Sequence, residues 1–331
     1  MSKPRVFGDL DDRGEMDAMK PDPAVEHANQ IRKGNIAYWE GYVGDGDSRL
    51  HYVEAGTGPL IIFYHGFPSF WYCWFNQMEL LKTRYRVVAV DGLGAGLSAN
   101  PDVLDAYKVE NLAAQLGAFA YAIGGSKRFT LIGHDWGAAL SFAYAQAYPE
   151  RLNGVIGMSA PPYNLFLDLV RTSPEQQARS QYMQTFLGLT LDEIANTGLP
   201  NSIWQGAYGE LISTGMLSAQ EGEMFRVALA NSNAIHGGMN WYRANLADFA
   251  DIDPSLQWPA SPNKIEVPSM LIWGDSDTTF VEEFLTQIED YAPDISIVRI
   301  TDVGHWTSME RPKIANAAIE KFVGRLARPI G

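Results

Sequence analysis

Residues 132–138 read IGHDWGA and directly follow the apolar run FTL at 129–131. In this stretch Gly133 and Gly137 bracket Asp135 in a Gly-x-Asp-x-Gly pattern. The same spacing around a serine marks the nucleophile elbow, a sharp turn between a strand and a helix that exposes a reactive side chain. The stretch therefore predicts a buried strand, a tight turn that presents Asp135, and a helix after it.

Short apolar runs that look like strands alternate with helical patterns on both sides of this turn. The predicted strands read LHYVEA, PLIIFYHG, YRVVAVD, RFTLIGH, LNGVIGMS, VPSMLIWG and ISIVRI. Such alternation is typical of an α/β fold with a mostly parallel central sheet and helices on both faces. It stops between residues 163 and 256, where helical patches with many Gln, Asn and aromatic residues replace the strand-like runs. We therefore predict an N-terminal arm at 1–35, a core formed by 36–162 and 257–331, and an inserted helical cap at 163–256.

Three side chains follow predicted strands in the order aspartate, acid, histidine. Asp135 lies at the turn, Asp277 lies in LIWGDSD and His305 lies in DVGHW. Because ligands of open α/β sheets bind at the carboxyl ends of the strands, we expect these side chains to meet there. Asp275 is an alternative acid, but Asp277 lies further past the strand end and is preferred. The order is that of a nucleophile–acid–histidine triad.

The sequence HGFP at 65–68 ends an early buried strand. A turn at this place can direct a backbone N–H group toward the residue at the elbow. We expect the N–H groups of Phe67 and Trp136 to form an oxyanion hole.

An aspartate at the elbow favours a different chemistry from a serine. A carboxylate with a pKa near 3.9 is already an anion at neutral pH, so Asp135 needs no base to activate it. A carboxylate attacks carbonyl groups poorly but attacks saturated carbon that carries a good or assisted leaving group. The product is an ester of Asp135, which water activated by His305 and oriented by Asp277 would hydrolyse. The pattern therefore predicts hydrolysis of a C–O or C–halogen bond at saturated carbon.

Four motifs taken together give the chain a wider resemblance. They are HGFP with the nearby FWYCW, GHDWG, NWYR at 240–243 and GHWTSMERP at 304–312. In this order the sequence resembles the soluble epoxide hydrolase family of the α/β-hydrolase superfamily, over about residues 40–325. The resemblance implies an α/β-hydrolase fold and an enzyme that opens an epoxide to a vicinal diol.

The resemblance also implies that two cap tyrosines bind and protonate the epoxide oxygen. Tyr242 in NWYR matches one of them, and Tyr182 matches the other by a Tyr-x-x-x-Phe pattern. Tyr163 and Tyr208 remain alternatives. The substrate would be a small apolar or aromatic epoxide, with water as the second reactant.

Two other functions stay open. A haloalkane dehalogenase would use the same aspartate, with the Trp136 indole N–H and a second donor holding the halide. Phe67 replaces the asparagine that one branch uses as that donor, which leaves Trp204 or Trp241. A non-catalytic hydrolase-like binding protein is the third reading. Trp136, Phe67 and Trp241 are the residues we expect to line the substrate site.

Composition limits the partners. The net charge of −14 at pH 7 disfavours nucleic acids and anionic membranes. No run of about 18 apolar residues predicts a membrane span. The lone cysteine, Cys73, cannot form an intrachain disulfide, so we expect a reducing cytoplasm. The arm at 1–35 is long enough to cover the sheet or to meet a second subunit, which leaves a homodimer open.

Neither a metal nor an organic cofactor is expected. The six histidines form no HxxxH pattern and no Cys/His cluster. The glycine-rich GLGAG at 92–96 follows a predicted strand but lacks the G-x-G-x-x-G spacing of a dinucleotide-binding turn. We interpret it as a tight turn near the mouth of the site.

Overall fold

The structure, a computed structural model, describes residues 22–326 apart from 231, 247, 254–256 and 261–262. The strands of this part are Trp39–Val43 (β1), Leu50–Ala55 (β2), Leu60–Tyr64 (β3), Arg86–Val90 (β4), Phe129–His134 (β5), Leu152–Met158 (β6), Ser269–Gly274 (β7) and Ser296–Ile300 (β8). They form one sheet in the order β1-β2-β4-β3-β5-β6-β7-β8. β2 runs antiparallel to β1 and β4, and the other neighbours are parallel.

Helices flank the strands along the described chain. They are Pro23–Ile31 (α1), Phe75–Leu81 (α2), Val109–Gly124 (α3), Trp136–Ala147 (α4), Tyr163–Thr172 (α5), Pro174–Arg179 (α6), Gln181–Gly188 (α7), Leu191–Asn196 (α8), Leu199–Ser213 (α9), Ala219–Leu229 (α10), Ser232–Asn245 (α11), Phe284–Gln287 (α12), Thr307–Glu310 (α13) and Pro312–Leu326 (α14). The predicted α/β architecture with a mostly parallel sheet is confirmed.

The centre of the sheet lies where the chain direction changes. Every residue of β3 and β5 is buried, as expected for apolar strands covered on both faces. The two strands are parallel neighbours, and Tyr64 is paired with Gly133. β3 connects to β4 on one side, whereas β5 connects to β6 on the other. The loops after β3 and β5 therefore open at a topological switch point, the usual place for a ligand in such a sheet.

Helices α5–α11 lie between β6 and β7 and contact the loops at this edge of the sheet. The Tyr208 hydroxyl donates to the Pro68 carbonyl, and the Trp241 indole N–H donates to the Leu93 carbonyl at 2.7 Å. These contacts put the helical insertion directly over the carboxyl ends of β3 and β4.

The described part of the predicted arm at 1–35 is packed on the core, and residues 1–21 lie outside the described residues. Asp22 caps α1 by accepting from the Ala24 N–H at 2.8 Å. Its second oxygen accepts from the indole N–H of Trp71 at 2.6 Å. Sequence patterns did not predict β1, because its five residues WEGYV combine a charge and a glycine with few apolar positions.

Candidate active site

Asp135 occupies a sharp turn between β5 and α4. Its backbone has φ 53° and ψ −124°, in the left-handed half of conformational space. A Cβ on Gly133 would lie 2.0 Å from the Gly137 oxygen, and a Cβ on Gly137 would lie 2.1 Å from the Tyr64 oxygen. Both glycines of the motif are therefore required for the turn to pack against itself and against β3.

A backbone N–H group points at the Asp135 carboxylate. The N–H of Phe67 donates to Asp135 Oδ1 at 2.9 Å. Trp136, which carries the second expected donor, directly follows Asp135 at the start of α4. A Cβ on Gly66 would lie 2.2 Å from the same Oδ1 atom, so only glycine permits this approach. One of the two expected oxyanion-hole donors, the Phe67 N–H, thus binds the carboxylate, and the role of the Trp136 N–H stays a prediction.

His65 fixes the loop that carries the first of these donors. The Gly92 N–H donates to His65 Nε2 at 2.9 Å, so the ring proton lies on Nδ1, which donates to the Gly66 carbonyl at 2.7 Å. Burial lowers the pKa of His65, which keeps the ring neutral. The neutral ring therefore connects the turn at Gly92 to the loop before Phe67 by one hydrogen bond at each nitrogen.

Asp135, His305 and Asp277 form a contiguous row. His305 Nδ1 lies 2.8 Å from Asp277 Oδ2, and His305 Nε2 lies 3.5 Å from Asp135 Oδ2. The alternative acid, Asp275, instead pairs with Arg299 at 2.6 Å. Thus the structure brings Asp277 to the histidine and directs Asp275 to a surface ion pair.

The two carboxylates determine the protonation of the histidine. Burial alone would lower the pKa of His305, but Asp277 and Asp135 outweigh it and raise this pKa to about 10. Burial would raise the pKa of Asp135, but the hydrogen bond and charge of His305 outweigh it and hold this pKa below its usual range. At neutral pH the ligand-free site therefore holds an imidazolium between two carboxylates.

This arrangement predicts a pH-dependent contribution to stability. A histidine with a raised pKa stabilises the fold fully below its unfolded pKa of about 6.5, and the effect is lost as the pH rises through the folded value. The free energy of unfolding of wild type, relative to His305→Gln, should therefore fall between pH 6.5 and about 10. Urea denaturation of both proteins at several pH values measures this difference. A difference that stays constant over the range would contradict the assigned protonation.

Two tyrosines of the helical insertion lie in the same region as Asp135. The rings of Tyr182 and Tyr242 pack edge to face with centroids 6.5 Å apart. The Tyr242 ring in turn packs edge to face on Trp136, next to Asp135, with centroids 5.1 Å apart. Burial raises the pKa of both hydroxyls, and the negative charge of Asp135 raises it further. Both hydroxyls are therefore protonated at neutral pH.

The other two candidate tyrosines have different partners. The Tyr163 hydroxyl donates to the Asn245 carbonyl at 2.8 Å, and the Tyr208 hydroxyl donates to the Pro68 carbonyl. Since each of these protons is held by a backbone oxygen, neither is directed at Asp135.

A small cavity opens beside Asp135. Its remaining lining is apolar or aromatic: Trp136, Ala139, Ala160, Pro161, Phe166, Met183 and Phe280. Trp241 lies outside this lining and, together with Phe67, borders a second small cavity. Of the three residues expected to line the substrate site, Trp136 therefore lines the cavity at Asp135, whereas Phe67 and Trp241 line the second one.

Two features beside Asp135, His305 and Asp277 were not predicted from the sequence. The Thr279 N–H donates to Asp277 Oδ1 at 2.8 Å, a turn that an Asp-x-Thr sequence can signal. The rings of Phe166 and Phe280 pack edge to face beside the cavity, with their centroids 5.6 Å apart. Aromatic residues this far apart in sequence carry no pattern that would identify such a pair.

Among the described residues we also looked for a metal site, a membrane-spanning helix and a reactive cysteine. They contain no group of three or more His, Cys, Asp or Glu side chains arranged to hold a metal ion. None of their helices combines the length and apolar character needed to cross a lipid bilayer. Cys73 is buried and unpaired, and burial raises the pKa of its thiol to about 12.

Comparison with known proteins agrees with this geometry. Residues 59–312 match the family described as alpha/beta hydrolase fold. The AB hydrolase superfamily protein YfhM of Bacillus subtilis is 28% identical, over 85% of this chain and 96% of its own. Epoxide hydrolase 3 of Xenopus tropicalis is 31% identical, over 86% of this chain and 77% of its own.

A solved structure extends the likeness to three dimensions. The Bacillus megaterium epoxide hydrolase in complex with an inhibitor matches with a TM-score of 0.77 and 27% identity, covering 86% of this chain and 99% of that one. Fold and sequence together define a hydrolase enzyme of the α/β-hydrolase class. Within that class, the chain belongs to the epoxide hydrolase family. The resemblance drawn from the motifs is thereby confirmed.

Proposed function

We propose that the protein opens an epoxide to a vicinal diol through a covalent ester on Asp135. The observation that carries the proposal is the placement of the buried Asp135 carboxylate beside two cap tyrosines: Tyr242 packs on Trp136, and Tyr182 packs on Tyr242. A nucleophile for saturated carbon and donors for an alkoxide leaving group thus belong to one region of the molecule. An apolar cavity adjoins Asp135, which favours a small apolar or aromatic epoxide.

In the first step an oxygen of Asp135 attacks a ring carbon, and the carbon–oxygen bond of the epoxide breaks. Tyr242 or Tyr182 donates its proton to the departing oxygen, so that an alkoxide never has to leave unassisted. The imidazolium of His305 then returns a proton to the tyrosinate. The products of this step are a neutral ester on Asp135, a hydroxyl on the substrate and a neutral His305.

In the second step water hydrolyses the ester. Once Asp135 is esterified, His305 has lost one of its two carboxylate partners, so its pKa falls and the ring can accept a proton. It takes that proton from water, and the hydroxide attacks the ester carbonyl. The N–H groups of Phe67 and Trp136 stabilise the oxyanion that forms there. Collapse releases the diol and restores the Asp135 carboxylate and the imidazolium.

The haloalkane dehalogenase alternative receives less support. A halide needs a second donor besides the Trp136 indole N–H, and neither of the two other tryptophans considered has a free indole N–H to offer. The Trp241 indole N–H donates to the Leu93 carbonyl, and that of Trp204 donates to the Gly222 carbonyl at 3.0 Å. The binding-protein alternative has no supporting feature either, because every group that the two steps require is present.

A paired assay on the purified protein tests the proposal. One arm measures diol formation from styrene oxide and 1,2-epoxyhexane, and the other measures halide release from bromoalkanes of similar size. We expect diol without halide. Halide without diol would establish the dehalogenase, and silence in both arms would favour the binding protein. Asp135→Ala in both arms controls for contaminating activity.

Tyrosine variants test the assigned acids. Tyr242→Phe and Tyr182→Phe should each slow ring opening by roughly 10²–10³-fold, because each removes one general-acid proton. Single-turnover kinetics with excess enzyme measures this step apart from ester hydrolysis. Tyr163→Phe is the matched control, since its hydroxyl is held by the Asn245 carbonyl. A Tyr182→Phe rate equal to that of wild type would assign the proton to Tyr242 alone.

The remaining assignments follow from the same reasoning. Helices α5–α11 act as a cap, because they carry both tyrosines and contact the loops around Asp135. A cytoplasmic location is supported by the single buried thiol of Cys73, which needs no oxidising compartment. The chemistry described requires no metal and no organic cofactor.

A further inference from the structure

Glu310, at the end of α13, accepts hydrogen bonds from the backbone on both sides of His305. Its Oε2 accepts from the Gly304 N–H at 2.8 Å, and its Oε1 accepts from the Trp306 N–H at 3.0 Å. The two bonded residues are the immediate neighbours of His305 in the chain. One side chain thus determines the backbone position from which the imidazole projects.

A carboxylate suits this position better than any other side chain. An ionised carboxylate offers two oxygens that only accept hydrogen bonds, whereas a glutamine offers one accepting oxygen and an NH₂ group that only donates. Hydrogen bonds from an N–H to a charged acceptor are about twice as strong as those between neutral groups. Substituting Gln for Glu310 would therefore set a donor against one of the two N–H groups.

A third contact fixes the carbonyl of the same residue. His134 Nε2 donates to the His305 carbonyl at 2.8 Å, and His134 is neutral because burial and the charge of His305 lower its pKa to about 4. The backbone of His305 is thus anchored through its own carbonyl and through both neighbouring N–H groups. Its side chain is held at Nδ1 by Asp277 and projects Nε2 toward the elbow.

We propose that Glu310 is a positioning residue for the hydrolytic step, acting through His305; this rests on the covalent mechanism proposed above. In ring opening, a tyrosine supplies the proton that the departing oxygen needs, and the imidazolium returns a proton to the tyrosinate only afterwards, so the bond to carbon forms without depending closely on the position of Nε2. In ester hydrolysis, Nε2 has to hold a water molecule in line with the ester carbonyl. Ester hydrolysis therefore depends more steeply on the position of Nε2 than ring opening does. Loss of the two Glu310 hydrogen bonds should slow hydrolysis more than ring opening.

Rapid-quench intact-mass spectrometry of the whole protein with styrene oxide tests this proposal. In Glu310→Gln, ester hydrolysis should slow by roughly 10–100-fold, the range expected for a displacement of up to about 1 Å, while ring opening changes less than about threefold. The ester on Asp135 should therefore accumulate at steady state. Glu310→Asp, which keeps the charge but shortens the reach, should give the same imbalance to a smaller degree and serves where Glu310→Gln folds poorly.

Glu221→Gln is the matched control. Glu221 also accepts from a backbone N–H, that of Ser218 at 2.8 Å, but it does so at the start of α10. This variant should lose a similar hydrogen bond from a backbone N–H to a carboxylate, but it should not accumulate the ester. If both Glu310 variants slow the two steps equally, or only lower the melting temperature, Glu310 is structural and the proposal is overturned. An absence of ester even in His305→Gln would instead overturn the covalent mechanism, and this proposal with it.

Discussion

Replacement of Asp135 by alanine should abolish epoxide turnover. The residue supplies the oxygen that forms the new bond to carbon. Asp277, the other carboxylate next to His305, cannot replace it, because Asp277 is bonded to Nδ1 on the far side of the imidazole ring. We expect kcat/KM to fall by roughly 10⁴-fold or more, as for the loss of a covalent nucleophile. Diol formation at substrate concentrations well below KM measures the loss.

Asp275→Ala is the matched control for this variant. Its carboxylate also follows a strand of the same sheet but pairs with Arg299 at the surface. It should retain activity within a few-fold of wild type. If Asp135→Ala kept a tenth or more of the wild-type rate with an unchanged fold, water would be attacking the epoxide directly.

Replacement of His305 by glutamine should trap the enzyme halfway through its cycle. Asp135 is an anion without help from the histidine, so ring opening continues and each active site forms one ester. Without the base, water attacks this ester slowly, and kcat should fall by roughly 10²–10⁴-fold. Intact-mass spectrometry should show one substrate mass added, and peptide mapping should locate it on Asp135.

His236→Gln, on α11, controls for the substitution itself and should neither slow turnover nor retain an adduct. An adduct-free His305→Gln enzyme that has lost activity would mean that His305 is required before the first bond forms. The two-step account would then be wrong, although the family assignment would stand.

Local spacing was sufficient to predict the elbow. Gly133, Asp135 and Gly137 lie within five residues, and steric contacts at both glycines enforce the turn that their spacing indicates. The strands of the sheet centre were equally predictable, because continuous apolar runs have few other stable environments than a buried parallel sheet. β1 was missed because an edge strand needs no continuous apolar run.

Contacts between distant loops were not predictable in the same way. Asp275 and Asp277 are two residues apart, and only Arg299 on β8 separates their roles by drawing Asp275 away from the histidine. Trp241 was expected to line the substrate site, and no sequence pattern indicated the bond between its indole N–H and the Leu93 carbonyl. Glu310 lies within the motif GHWTSMERP, but its hydrogen bonds to Gly304 and Trp306 depend on how the loop folds back.

Isotope tracing in a single turnover tests the covalent mechanism most directly. Excess wild-type enzyme is mixed with styrene oxide in H₂¹⁸O, and the diol and the peptide containing Asp135 are analysed by mass spectrometry. Our account predicts a diol without label and one ¹⁸O atom in the Asp135 carboxylate, because water attacks the carbonyl of the ester and not the substrate carbon. Label in the diol after the first turnover, with an unlabelled Asp135, would contradict it.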